Sequence, residues 1–262
     1  MQRGKNEIIS LKTFFMKICA YFTCGFPDIE SSFKIMREIL KVADMLEIGI
    51  PFSDPIADGP TIQFASAKAL EMGFKVSQAF EVAERLKSQF PQKKILFMTY
   101  YNIILRKGIE SFIRKSRDAG IWGIIVPDLT PEESSDFCEI MRKNELKTVF
   151  FVSPLTPEKR IKKISSMTSG FIYYISTTGV TGEREKLPEE IKNKLKDVKK
   201  IAQKEIFVGF GISKREHIKE LEGFADGVIV GSALIRKVIE TKSSEEAEKK
   251  ITLFLEELKG EK

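Results

Sequence analysis

Eight short apolar runs alternating with eight segments of helical periodicity predict a (β/α)8 barrel. Two further observations support that α/β class. The runs are continuously apolar, as strands buried on both faces are, and 262 residues suit a barrel that typically uses about 250 as one unit. No Ser/Gly/Pro-rich linker or low-complexity tract interrupts the chain, so a single barrel domain over residues 1–262 is the economical reading. An open doubly wound sheet is the alternative, but no GxGxxG follows the first run.

The first strand is expected at 18–23 and is followed by helical periodicity over 28–42. The second, 45–50, precedes a helix at 76–89, and the third, 95–100, a helix at 108–119. Strands at 123–127, 148–152 and 171–175 precede helices at 131–144, 157–167 and 188–203, opened by Pro131, Pro157 and Pro188, which suit the first helical turn. The seventh strand, 206–210, leads to a helix at 213–221, and the eighth, 227–230, to helical stretches at 233–239 and 244–259. About 45 residues separate the second and third strands where a unit needs about 30, so that gap holds an additional segment. The expected architecture is a TIM barrel with an extra N-terminal helix and extended loops after strands two and six.

Composition narrows the chemistry. One histidine, His217, excludes two-histidine metal sites, and its charged surroundings, 214–220, read as an exposed helix rather than as part of a catalytic triad. Cys19, Cys24 and Cys138 lack zinc spacing and suggest a reducing compartment. The charged start of the chain carries no secretory pattern, and a cytoplasmic protein is expected. The net charge of +6 raises the question of nucleic acid, but acidic residues are mixed into every lysine cluster, which describes solvated helix faces. No apolar run approaches the roughly 18 residues of a membrane span.

The carboxylates are more informative. Glu47 interrupts an apolar strand, and alternation places it on one face with Met45 and Gly49, while Leu46, Ile48 and Ile50 face the other way. In a barrel the first face is the lumen, where burial raises a carboxyl's pKa and suits it to acid/base work. The alternative is a structural ion pair with Lys or Arg. The loop that follows, 51–60, contains three prolines and two more carboxylates, Asp54 and Asp58. Asp54 precedes Pro55 and suits a turn; Asp58 suits either catalysis or the cap of the next helix. Glycines at the ends of strands six, seven and eight (Gly179 and Gly182; Gly209 and Gly211; Gly231, followed by Ser232) suggest a backbone site for an anion.

The run from Leu46 to Gln63, LEIGIPFSDPIADGPTIQ, closely resembles the signature of the tryptophan synthase alpha chain family. Supporting matches include residues 23–28, 98–102, 127–129, 153–157, 178–182, 209–212 and 230–233. The resemblance implies a lyase that cleaves indole-3-glycerol phosphate to indole and glyceraldehyde 3-phosphate in tryptophan biosynthesis. It implies Glu47 and Asp58 as catalytic residues, with proton transfer at Glu47 and recognition of the indole N–H at Asp58. It also implies Phe22, Tyr100, Tyr173 and Phe210 around the substrate, phosphate near Gly182, Gly211, Gly231 and Ser232, and Thr181 on a loop that closes with the Asp58 loop. No cofactor is expected in this chain. The implied partner is a pyridoxal-phosphate-dependent beta chain that receives indole in a two-alpha, two-beta assembly, with the Asp58 loop, Tyr101-Asn102 and 127–130 as docking candidates. Another phosphate-binding barrel, such as a phosphosugar isomerase or epimerase, or a silent barrel that only activates a partner, are the other readings.

Overall fold

The computed structural model describes residues 16–175, 189–209 and 211–260. Its elements run β1 (Lys17–Thr23), α1 (Ile29–Val42), β2 (Met45–Gly49), α2 (Pro60–Glu71), α3 (Val76–Gln89), β3 (Lys94–Met98), α4 (Tyr101–Lys107), α5 (Ile109–Asp118), β4 (Gly123–Ile125) and α6 (Ser135–Lys143). They continue with β5 (Lys147–Val152), α7 (Glu158–Met167), β6 (Ile172–Ile175), α8 (Glu189–Ala202), β7 (Ile206–Gly209), α9 (Arg215–Leu221), β8 (Gly227–Val230), α10 (Ser232–Ile239) and α11 (Ser244–Lys259). The strands pair in parallel in chain order, and β1 closes the ring by pairing with β8. This is the expected (β/α)8 barrel. The expected N-terminal helix and the extended sixth loop fall on 1–15 and 176–188, outside the described residues.

Alternation along each strand sorts the core into two layers. Cys19, Met45, Leu96, Ile125, Val149, Phe207 and Ile229 fill the lumen together with Phe171, just before β6. Ile18, Ala20, Phe22, Leu46, Ile48, Ile95 and Phe97 point outward into the larger layer beneath the helices. Each large side chain so buried contributes about 1.5–3 kcal/mol relative to exposure. The helices supply matching apolar faces: α1 begins where the Asp28 carboxylate accepts from Ser31 N–H at 2.9 Å and buries Phe33, Met36, Ile39 and Leu40 at helical spacing. α11 starts under a Ser243 cap, ends at left-handed Gly260, and packs against α1.

The gap after β2 holds the expected additional segment, the helix α2, which Pro60 opens after Gly59. Two other boundaries depart from the sequence expectations. β3 ends at Met98 rather than at residue 100, because the chain turns at once into α4, a short helix missed by periodicity. The Asp128 carboxylate, from the loop after β4, accepts the Tyr101 N–H at 2.9 and 3.2 Å and fixes where α4 starts. α6 begins at Ser135 rather than Pro131, since the Ser134 hydroxyl donates to Pro131 O at 3.2 Å and closes a turn there.

Candidate active site

The lumen is packed through its middle and opens at the C-terminal ends of the strands into a cavity of about 240 Å3. Tyr21, Glu47, Asp58, Met98, Phe151, Tyr173, Gly209, Gly211, Ile229, Gly231 and Ser232 contribute to its wall. That is the end of a βα barrel where loops gather and chemistry is built.

Glu47 sits at the base of this cavity. It is 1% exposed, and its Oε2 has no hydrogen-bond partner among the described residues. Among the described residues it forms no ion pair with a Lys or Arg. Burial, and then the negative charge of Asp58, push its pKa up to about 8. A carboxyl in this state is largely protonated at neutral pH and carries a proton it can give up.

Asp58 occupies the rim. Burial raises its pKa to about 6, and a hydrogen bond from Tyr100 opposes that rise. Its carboxylate does not cap the following helix: α2 has Gly59 at its N-cap with no side-chain cap bond. Instead, Tyr100 Oη donates to Asp58 Oδ2 at 3.0 Å. Two carboxylates with separated pKa values can divide acid and base work between them. Asp54 is exposed and contributes nothing to the cavity wall.

The aromatic assignments need two corrections. Phe22 does not line the cavity; it is fully buried in the outer layer beneath the helices. The register pairs Tyr21 with Glu47, so Tyr21 is the residue that turns into the lumen, and Phe22 must point the other way. Tyr100 is not a wall residue either. It stands at the N-cap of α4 and acts on Asp58. Tyr173 does line the cavity, stacked obliquely on Phe151 with ring centroids 4.8 Å apart. Its hydroxyl pKa is raised by burial and then by Glu47, so it remains a phenol. Phe151, Met98 and Ile229 are wall residues that sequence reasoning did not single out. Each lies on a strand at lumen-facing parity, the signal that would have found them.

Glycine makes room for these rings. A Cβ at Gly49 would lie 2.2 Å from Tyr21 Oη, and one at Gly209 would lie 2.6 Å from the Tyr173 ring. Both rings therefore reach across to the neighbouring strand only because that strand carries no side chain there. Gly211 has φ +57° and lies beside Gly231 and Ser232 on the wall. Gly231 is the N-cap of α10 with no side-chain cap bond, which leaves the positive end of the helix facing the cavity. An anion there would meet backbone amides and the helix dipole. Thr181, Gly182 and Phe210, also expected at the site, lie outside the described residues.

His217 stays apart from this chemistry, its Nδ1 accepting the Ser213 N–H at 3.4 Å on α9. No group of three or more metal-capable side chains gathers among the described residues.

Comparison with known proteins gives a consistent answer. The family model described as tryptophan synthase alpha chain matches residues 14–261. The tryptophan synthase alpha chain of Methanocaldococcus jannaschii is 48% identical over 219 residues, covering 84% of this chain and 78% of the relative. That of Aquifex aeolicus is 48% identical over 221 residues, 84% of each chain. A solved structure of the tryptophan synthase a2b2 complex from Pyrococcus furiosus superposes with a TM-score of 0.88 at 41% identity, covering 93% of this chain and 98% of that one. The chain therefore belongs to the tryptophan synthase alpha chain family.

Proposed function

We propose that Glu47 and Asp58 carry the reverse aldol cleavage of indole-3-glycerol phosphate that belongs to this family's lyase chemistry. The observation that carries the reading is the placement of Glu47, a buried carboxyl at the base of the cavity whose Oε2 has no hydrogen-bond partner among the described residues, with Asp58 at the rim; burial raises its pKa to about 8 and favours the protonated form. Glu47 gives its proton to indole C3, and the positive charge that develops at the ring nitrogen is balanced by the Asp58 carboxylate, which accepts the N–H. The Glu47 carboxylate then takes the proton of the glycerol hydroxyl next to the ring. As that oxygen forms a carbonyl, the carbon–carbon bond breaks and its electrons restore the aromatic indole. Glu47 ends protonated, as it began, and indole and glyceraldehyde 3-phosphate leave.

Tyr21, Phe151 and Tyr173 form the apolar wall against which the indole ring packs in this reading, and the amides around Gly211, Gly231 and Ser232 hold the phosphate. The partner is a tryptophan synthase beta chain, which receives the indole. Its docking face is the rim around the cavity: the loop carrying Asp58, where Ile56 is 81% exposed, with Tyr101-Asn102 and 127–130 beside it. No helix among the described residues is long and apolar enough to cross a membrane, and a cytoplasmic location is part of the same proposal.

The test is indole release from indole-3-glycerol phosphate by the purified chain with excess beta chain. Release that depends on Glu47 is the expected result. A chain that binds the beta subunit yet releases no indole would be a silent activator instead.

A further inference from the structure

The rim carboxylate is held by a connection that spans three loops. Tyr100 Oη donates to Asp58 Oδ2 at 3.0 Å and accepts the Ala57 N–H at 3.1 Å, so one hydroxyl grips both the carboxylate and the peptide before it. The tyrosine ring stacks on Phe52, with centroids 5.0 Å apart and planes 23° from parallel, near the start of the same loop. Tyr100 is 3% exposed and is the N-cap of α4, whose first amide, that of Tyr101, is bound by the Asp128 carboxylate at 2.9 and 3.2 Å. The Tyr100 side chain thus joins the loops after β2 and β3, and the adjacent Tyr101 amide ties in the loop after β4. Upstream of α2, Pro55 O accepts the Asp58 N–H at 3.0 Å, which fixes the backbone but leaves the direction of the carboxylate to Tyr100.

We infer that Tyr100 is a positioning residue for the cleavage reaction, aiming one oxygen of Asp58 so that the other is presented to the substrate N–H. Asp128 supports it by fixing the start of α4. The direction of the hydrogen bond is set by chemistry: burial and the charge of Asp58 raise the phenol's pKa, so the hydroxyl keeps its proton and donates it. A donor to a carboxylate favours the ionised form, which is the form that accepts an indole N–H. The bond therefore serves both direction and charge. Tyr100 touches Asp58 rather than the cavity, so its contribution passes wholly through that carboxylate.

The inference rests on the proposed role of Asp58, and the experiment separates the two. Indole release by the full chain with saturating beta chain is measured from pH 5 to 9 for the wild type, Tyr100→Phe, Asp58→Asn and the double variant. Tyr100→Phe keeps the ring and its stacking on Phe52. It is expected to lower kcat/KM roughly tenfold to a hundredfold, the range for a hydrogen bond to a charged group, and to move the acid limb of the profile to higher pH. Asp58→Asn is expected to lose more, and adding Tyr100→Phe to it to lose nothing further. A wild-type profile for Tyr100→Phe beside an inactive Asp58→Asn overturns the positioning role alone. An active Asp58→Asn overturns the reading of Asp58 itself. A further loss in the double variant also overturns the inference, because Tyr100 would then act by a route independent of Asp58.

Discussion

The floor and the mouth of the barrel are built from the same strands, yet they solve opposite problems. In the floor, Cys19, Met45, Leu96, Phe171 and Phe207 fill the space between strands with apolar side chains. At the mouth, two residues further along β1 and β2, Tyr21 and Glu47 face a cavity, and among the described residues one oxygen of Glu47 has no hydrogen-bond partner. Interiors close-pack wherever they can, and a buried polar atom without a partner costs on the order of 1–3 kcal/mol. The floor stabilises the barrel; the mouth gives up stability for a carboxyl that stays protonated and reachable. Stability and reactivity thus lie on one face of a single strand, separated by one two-residue repeat.

The sharpest way to break that contrast is Glu47→Gln. The amide keeps the shape but cannot exchange a proton, so indole release should fall by about a thousandfold or more, toward the upper range of general acid–base effects. The same variant should be the more stable protein. The pKa of Glu47 lies near 8 when folded, above the ordinary value of about 4.3, so the folded state holds a proton that the unfolded state releases. The stability this gives is fully present below about pH 4.3 and is lost as pH rises to about 8, while the glutamine variant lacks that loss. Denaturant melts across that window should show the gap between the two proteins widening with pH, by an amount on the order of a few kcal/mol. A gap that does not change with pH would mean that Glu47 is not buried as a neutral acid.

The floor gives the reverse signature. Leu96→Ala removes a fully buried side chain from the closed layer and should cost about 2–5 kcal/mol in unfolding free energy, with indole release per folded molecule nearly unchanged. Loss of activity without loss of stability would show that floor and mouth are not separable.

Gly209→Ala tests the border between them. The added methyl lies 2.6 Å from the Tyr173 ring, which must move into the cavity. The expected outcome is a stability loss of about 1–3 kcal/mol together with a raised KM. An unchanged KM would show that Tyr173 does not shape the substrate site.

The smallest effect is read from the wild type. If Asp58 works ionised and Glu47 works protonated, kcat/KM should follow a bell whose limbs lie near pH 6 and pH 8, falling about tenfold for each pH unit beyond either limb. A profile flat from pH 5 to 9 would break the division of labour between rim and floor of the cavity.

Much of this contrast is legible in the amino-acid sequence. The parity of β2 places Glu47 with Met45 and Gly49 and against Leu46 and Ile48, and the two core layers follow that division. The helix over Val76–Gln89 is bounded as its periodicity implies, since an amphipathic stripe is a local property. Other features are not readable in this way. The start of α4 depends on Asp128, which follows Tyr101 by 27 residues, and no window of helical periodicity contains that partner. Asp58 before Gly59-Pro60 reads equally as a cap or as a catalytic group until Tyr100, 42 residues on, claims its carboxylate. Tyr21 and Phe22 are adjacent aromatics in an unbroken apolar run, and the run itself does not say which one faces inward.

By itself, then, the sequence determined the repeating strand and helix units, the sorting of side chains along β2, and the presence of a carboxylate among apolar neighbours. These follow from the chain's local geometry, periods of 2.0 and 3.6 residues, and need no knowledge of distant segments. Tertiary structure alone decided that Tyr21 pairs with Glu47 across the sheet, that Tyr100 holds Asp58, and that Gly49 and Gly209 give their space to rings from neighbouring strands. Each of those is a contact between residues far apart in the chain, fixed by register and barrel closure, and only the assembled sheet brings the partners within reach.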